Sequence, residues 1–420
     1  MQRIKLLFQN KFMASNFLMF FGAMLLNAGA YLYHYLMQAL LGPQGYGGLS
    51  ALFSILYLLI SPAMVLNVVV VRFVAEAQSR DDLDFVASLF YRSLKTIFLA
   101  GFLCTLVFVF LAESITQFLN IDSTWSVTLV GATALLLFAT MFNRSIMQGL
   151  TRFGYFSMSG LLETVLKVVL AVALIGAGLS VFGGFAGIFL ADAIVFAWTW
   201  WVINGWLSGY RRDASVPYAK MLKFAPAVFF SLTAMTSFFS TDIILVKHFF
   251  EPLQAGYYAF LAIAGKIIFF VSSSVVMVLL PFVAQRQEKG ERVSHYLFLS
   301  LAAVLALSGT GVLVYFFWPQ LVIFIFRGYA YLPAAPLLGI FGLFILLYAL
   351  CYTLVNFFLA VGLVRVAVLP VAFNILQIGL IWFWHQSLEQ VIGNSIISLS
   401  LLLLCLLLYF AYAKARHKIR

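Results

Sequence analysis

Charged side chains are scarce in this sequence. They make up nine per cent of its 420 residues against 64 per cent hydrophobic, a balance that no water-soluble globular chain sustains. Mean hydropathy is +1.06. Cysteine is nearly missing too: Cys104, Cys351 and Cys405 fall inside apolar runs without metal-type spacing, and they read as packing residues. There is no GxxxxGK[ST] phosphate loop, no HExxH, and no nucleophile with a nearby base in sequence, so neither nucleotide hydrolysis nor hydrolytic catalysis is expected, and no metal centre or cofactor is implied. Long polar segments are also lacking. The largest connections, around 72–92 and 209–222, are too short for a soluble domain.

What fills the chain instead is a series of apolar runs of about 20 residues, each long enough to cross a hydrocarbon core of roughly 30 Å as a helix. Barrel strands would alternate over about ten residues, so the class is an all-α integral membrane protein. The runs predict about twelve spans, near 13–37, 48–71, 93–113, 126–147, 157–179, 184–208, 223–250, 256–282, 296–319, 336–360, 366–386 and 393–413. The first run, after "MQRIKLLFQNK", has no small-residue cleavage site and reads as a retained anchor.

The formal net charge of +11 invites a nucleic-acid reading, but the basic residues sit where topology wants them. With both termini inside, all but four of the 25 lysines and arginines fall on cytoplasmic segments, the exceptions being Lys247 and Arg327 outside and Lys167 and Lys266 within spans. The excess sets orientation, and no nucleic-acid partner is expected.

An internal repeat runs through the chain. At an offset of 209, Pro43 aligns with Pro252, Gly47 with Gly256, and "FVA" at 73–75 with "FVA" at 282–284; at 213, "GLTR" at 149–152 matches "GLVR" at 362–365. Halves of six spans each must run parallel, which predicts two six-helix lobes, 1–208 and 209–420, around a central cavity opened alternately to either side. The proline and glycine punctuation would mark a repeated hairpin turn.

A charge near the bilayer centre costs roughly 2.5–3.5 kcal/mol, which makes each intramembrane ionisable residue a functional candidate. Asp242 lies about nine residues before the turn at 251–256 and Lys266 about ten after it, so both are expected roughly 13–15 Å deep on adjacent helices. They are either a gating or coupling pair facing the cavity or an ion pair that locks two helices. Glu163 and Lys167 are spaced i, i+4 in the favourable order for a same-face pair, and Asp192 has no partner by sequence. Asn374 and Gln377 share a helix face; with Asp242 and hydroxyls such as Ser398 they form a candidate sodium site, or else they are interhelical glue. Arg72, Arg144, Arg152 and Arg365 line the cytoplasmic mouths, where topology explains them and phosphate capture is the second reading. His34 reads as interfacial, and the Tyr, Trp and Phe residues as interfacial belts and packing.

The segments "LGPQGYGGLSALFSI", "QGLTRFGYFS" and "STDIILVKHFFEPLQAGYYAFLAIAGKI", set in twelve spans of two parallel lobes, resemble the polysaccharide transporter or oligosaccharide flippase family of the multidrug/oligosaccharidyl-lipid/polysaccharide (MOP) exporter superfamily. The resemblance covers essentially the whole chain. It implies a MATE-like fold in the bacterial cytoplasmic membrane. The activity it implies is alternating-access movement of undecaprenyl-pyrophosphate-linked oligosaccharide from the inner to the outer leaflet, for O-antigen, capsule or exopolysaccharide assembly. Lys266, Lys167 and the four arginines would meet the anionic substrate. Asp242, Glu163, Asp192, Asn374 and Gln377 would couple or gate, driven by a proton or sodium gradient, with a glycan polymerase or other assembly protein as partner. Related lipid II flippases have an arginine-rich first span, where this chain offers Asn27 and His34. A drug antiporter of the same fold is the transport alternative; a membrane glycan polymerase or ligase is the enzyme alternative.

Overall fold

A computed structural model describes residues 11–222, 225–288, 293–326 and 328–416. The topological residues Arg3, Lys5, Lys223, Lys289, Arg292, Arg327, Lys418 and Arg420 lie outside them, as does the side chain of Asn27. Every regular element among the described residues is helical.

Ten helices are long and apolar enough to cross a membrane. Two of these, with 52 and 55 described residues, are broken by a glycine in the left-handed region, a conformation that only glycine adopts without strain. Helix α1 (Lys11–Ser79) breaks at Gly42, φ 64°, next to Pro43. The second break, at Gly178, φ 90°, separates α4 (Phe153–Leu174) from α5 (Ser180–Leu207). The remaining elements of the first half are α2 (Leu83–Phe118) and α3 (Thr124–Gly149).

The second half holds α6 (Tyr218–Leu222), α7 (Ala225–Phe238), α8 (Thr241–Phe249), α9 (Pro252–Glu288), α10 (Ser294–Phe317), α11 (Pro319–Phe326), α12 (Ala335–Ala360), α13 (Val368–Phe383) and α14 (Leu388–Ala415). Two features differ from the expected spans. The run 223–250 is not one helix but α7 and α8, interrupted at Phe239 and Ser240. The stretch after α10 is not plain loop: α11 exposes Leu321, Phe324 and Ile325, an apolar face suited to the membrane interface.

The chain divides into two compact units, one of residues 1–41 and 59–225, the other of 42–58 and 226–420. The segment 42–58 groups with the second unit. In the first unit α2 packs on α3, α4 on α5, and α3 on α5. In the second the corresponding pairings recur, α10 on α12, α13 on α14, and α12 on α14, which is what a six-span repeat demands.

The repeat also shows in the turns. After α3, Leu150, Thr151 and Arg152 donate to Ile146, Gln148 and Met147, with Thr151 at φ 55°; after α12, Val361, Gly362 and Leu363 donate to Phe357, Leu359 and Phe358, with Gly362 at φ 78°. Both are helix ends of the Schellman type. Thr151 therefore corresponds to Gly362, a register of 211 and not the 213 that GLTR and GLVR suggest. In the second unit the repeated glycines meet: a Cβ on Gly47 would lie 2.9 Å from the amide nitrogen of Gly256, and one on Gly256 would clash with the carbonyl of Pro43. Glycine is required there because two backbones touch.

The first unit is held by a core of Val74, Val86, Phe90, Ala139, Ile146, Met147 and Ile203, all buried, on α1, α2, α3 and α5. The early part of α2 continues this packing toward the 209–217 connection, where Asp84 accepts from the Arg211 amide, Ser88 from the Ala214 amide, and the Arg212 guanidinium sits 3.7 Å over Tyr91.

Candidate functional site

Each unit carries one cluster of ionisable side chains at mid-span depth, and the two are built differently. In the first unit the cluster gathers residues from three helices. Arg144 comes from the last turns of α3, Glu163 and Lys167 from α4, Asp192 from α5. Arg144 Nη1 pairs with Glu163 Oε2 at 2.7 Å, while its Nε donates to Ser159 Oγ at 2.9 Å. Lys167 Nζ lies 3.8 Å from the other Glu163 oxygen. The i, i+4 pair expected from sequence exists, but Arg144 is the closer partner, and sequence spacing could not reveal it.

Asp192 is buried at 1% exposure within electrostatic reach of Glu163, Arg144 and Lys167. Neither of its carboxylate oxygens accepts a hydrogen bond among the described residues. Further along α5, Thr199 accepts from Asn143 Nδ2 at 2.9 Å. Two acids and two bases make this cluster neutral in sum, which is how a buried ionic group is tolerated in hydrocarbon.

In the second unit the charges are held apart. Asp242 sits in the first turn of α8, just after the break that separates it from α7. Tyr258 donates its hydroxyl to Asp242 Oδ2 at 2.7 Å, and the Ile243 amide donates to Oδ1 at 2.8 Å. No ion pair within 4.0 Å joins Asp242 to Lys266 among the described residues; the two act on one another electrostatically without direct contact. The reason is depth. Helix α9 begins at Pro252, so Lys266 lies fourteen residues in, about 21 Å, whereas Asp242 is seven residues from the end of α8, about 10 Å. Tyr258, six residues into α9 at about 9 Å, is the residue that shares the depth of Asp242.

Lys266 instead rests on aromatic faces. Its ammonium is 4.8 Å from the Tyr57 ring centroid and 5.4 Å from that of Phe239, within cation–π range. Phe239 meets Tyr348 edge to face at 5.2 Å, Phe269 lies 5.0 Å from Tyr348 and 5.2 Å from Tyr352, and Tyr348 and Tyr352 stack one turn apart on α12. Lys266, Tyr57, Phe239, Phe269 and Tyr352 all remain partly accessible. Sequence alone assigns such residues to belts and packing.

The amides of α13 serve the helix break. Gln377 Nε2 donates to the Phe238 carbonyl at 3.0 Å, at the end of α7, and to Ser395 Oγ at 2.8 Å on α14, while its Oε1 accepts from Asn374 at 3.4 Å. A carbonyl freed inside a membrane needs such a donor. Ser398 Oγ donates to the Asn394 carbonyl. Gln377 thus acts as interhelical glue, whereas the Asn374 and Ser398 bonds stay within α13 and α14, and in the candidate sodium site of Asp242, Asn374 and Gln377 the Gln377 amide oxygen is already engaged. Arg72, Arg152 and Arg365 are exposed at or near helix ends, Arg152 with its guanidinium 5.4 Å over Trp206; unlike Arg144, they join neither cluster.

The sequence matches no protein-family description and no curated protein. Solved structures do match along nearly the whole chain. An inward-facing multidrug resistance MATE family transporter of the MOP superfamily superposes with a TM-score of 0.72 at 13% identity, over 91% of this chain and 94% of that one. The lipid II flippase MurJ in an inward closed conformation gives 0.71 at 12% identity, over 92% and 87%. The MATE multidrug transporter DinF-BH, in a ligand complex, gives 0.69 at 14%, over 93% and 94%. The chain shares the fold of these MATE and MurJ structures. This MOP-fold chain is a multi-pass, all-helical membrane protein whose structural neighbours are transporters and flippases, and at these identities the likeness establishes architecture alone.

Proposed function

We propose that this MOP-fold chain is a lipid-linked oligosaccharide flippase, which moves an undecaprenyl-pyrophosphate-linked glycan from the inner to the outer leaflet of the bacterial cytoplasmic membrane by alternating access. The observation that carries the reading is Lys266. A lysine within a span that makes no ion pair, with Asp242 in electrostatic reach but bonded to Tyr258 and the Ile243 amide, is costly unless it also meets water and an anion, and pyrophosphate is an anion that such a lipid delivers to that depth. An organic cation would be repelled there. The arginines Arg72, Arg152 and Arg365 suit capture of the same headgroup on the cytoplasmic side, with both termini inside. Asp192, buried without a hydrogen-bonded oxygen among the described residues, is the group assigned to proton or sodium coupling, with Arg144, Glu163 and Lys167 setting its field.

Loss of the chain is expected to leave undecaprenyl-linked repeat units on the inner leaflet and to abolish the surface polymer, with drug susceptibility little changed. Drug hypersensitivity with normal surface glycan would transfer the assignment to the multidrug alternative.

A further inference from the structure

The aromatic side chains around Lys266 pose a question that packing alone does not answer. An ammonium carries three donors and no acceptor, and among the described residues it makes no ion pair within 4.0 Å, resting on the Tyr57 and Phe239 faces with the Asp242 carboxylate in electrostatic reach. Being partly accessible within the thickness of the membrane, it must look onto water, since hydrocarbon would leave those donors unmet. The two rings beside it, Tyr57 and Phe239, then look onto the same water, and Tyr352 joins Phe239 through Tyr348, which touches both. Tyr57, Phe239, Phe269 and Tyr352 are partly accessible, whereas Tyr348, Phe341 and Phe344, deeper in the second unit, are fully enclosed. Ring faces held against water at a fixed place, with tyrosine hydroxyls at their edges, are an unfilled half of a contact.

We infer that Tyr57, Phe239 and Tyr352 form a stacking platform for the sugar ring next to the pyrophosphate of the substrate, with the Lys266 ammonium taking the anion. A pyranose has apolar C–H faces and a polar rim, so it fits rings that present an apolar face and a hydroxyl edge. The order of groups is also right: the rings flank the cation at 4.8 and 5.4 Å, as a sugar flanks the phosphate to which it is bonded. Tyr348 buttresses the platform from beneath, edge-on to Phe239 and stacked on Tyr352. This rests on the flippase reading and adds to it a subsite for the glycan.

The test uses the full chain purified into lipid nanodiscs and three probes: farnesyl diphosphate, farnesyl diphosphate bearing one N-acetylglucosamine, and a cationic rhodamine dye. Wild-type protein is expected to bind the sugar-bearing probe more tightly than bare farnesyl diphosphate. Tyr352→Leu should weaken the sugar-bearing probe by about tenfold, the scale of one aromatic contact, and leave bare farnesyl diphosphate within about twofold, which also certifies that the variant is folded; Tyr57→Leu, which also removes a ring from the Lys266 ammonium, should weaken the sugar-bearing probe more than the bare one. Tyr352→Phe keeps the ring and should keep most of the affinity. Lys266→Gln should weaken both diphosphates. Equal binding of the two diphosphates by wild type, or equal losses on both in the leucine variants, would overturn the platform and leave the flippase reading standing. Binding of the rhodamine dye with neither diphosphate bound would overturn that reading and the platform with it.

Discussion

The two intramembrane clusters solve one electrostatic problem in opposite ways. In the first unit, Glu163 is clamped by Arg144 at 2.7 Å and approached by Lys167 at 3.8 Å, so charge is cancelled locally and the cluster ties α3 to α4. In the second, Asp242 is satisfied by a phenol and a backbone amide while Lys266 is set on two ring faces. Hydrogen bonds and π faces stabilise these ions, and the two compensate one another only at a distance, without a direct pair. A neutralised cluster has little left to offer a charged ligand; an ammonium stabilised by rings keeps its charge available. The difference teaches that the count of charges in a span says less about binding than whether each has a counter-ion.

This contrast can be broken from either side. The largest effect is expected at the clamp: Arg144→Ala removes the closer partner of Glu163 at low exposure, leaving it only Lys167 at 3.8 Å, and should cost about 3 kcal/mol, the scale for breaking one partner of a buried pair. Thermal unfolding of the purified protein would show it as a clear fall in midpoint, and an unchanged midpoint would mean that the first cluster is not a clamp. Tyr258→Phe comes next. It removes one of the two donors to Asp242 and should cost about 2 kcal/mol, as for a hydrogen bond to an ionised group, measured the same way; Lys266→Gln, by contrast, should shift the midpoint less than either. The smallest is Gln377→Ala, which leaves the Phe238 carbonyl without its donor at the α7 end and should cost about 1 kcal/mol. Hydrogen exchange at the amides following the break, from Ser240 on, would be expected to quicken in that variant.

Much of the architecture is legible in the sequence because a membrane imposes length and composition on every crossing. The proline and glycine hairpins at 43–47 and 252–256 can be aligned because backbone contact admits no side chain at Gly47 and Gly256, so the residue type is forced. The break between α7 and α8 is not legible, since "SFFSTD" contains neither proline nor glycine and the interruption is stabilised from outside by Gln377, more than a hundred residues away. Arg144 looks in sequence like a cytoplasmic-mouth residue because its position near a helix end masks its reach to Glu163 on the next helix. The Asp242 and Lys266 pairing fails by arithmetic: it takes the whole of 251–256 as turn, and moving the start of α9 back to Pro252 deepens Lys266 by about 6 Å and brings Tyr258 level with Asp242. Tyr57, Phe239 and Tyr352 are hidden by abundance. Among 45 phenylalanines and 19 tyrosines, nothing in the sequence marks the few that surround a lysine.

The central claim is that Lys266, which makes no ion pair among the described residues, offers its charge to an anionic lipid-linked glycan. The most direct measurement compares surface polymer and the leaflet distribution of undecaprenyl-linked repeat units in cells carrying wild-type protein, Lys266→Arg or Lys266→Gln, each at matched membrane abundance. The account predicts that arginine, which keeps the charge, retains most of the surface polymer, while glutamine lowers it by at least about tenfold, the factor for losing one charge-assisted contact, and traps the intermediates on the inner leaflet. Full surface polymer with the glutamine variant would contradict it.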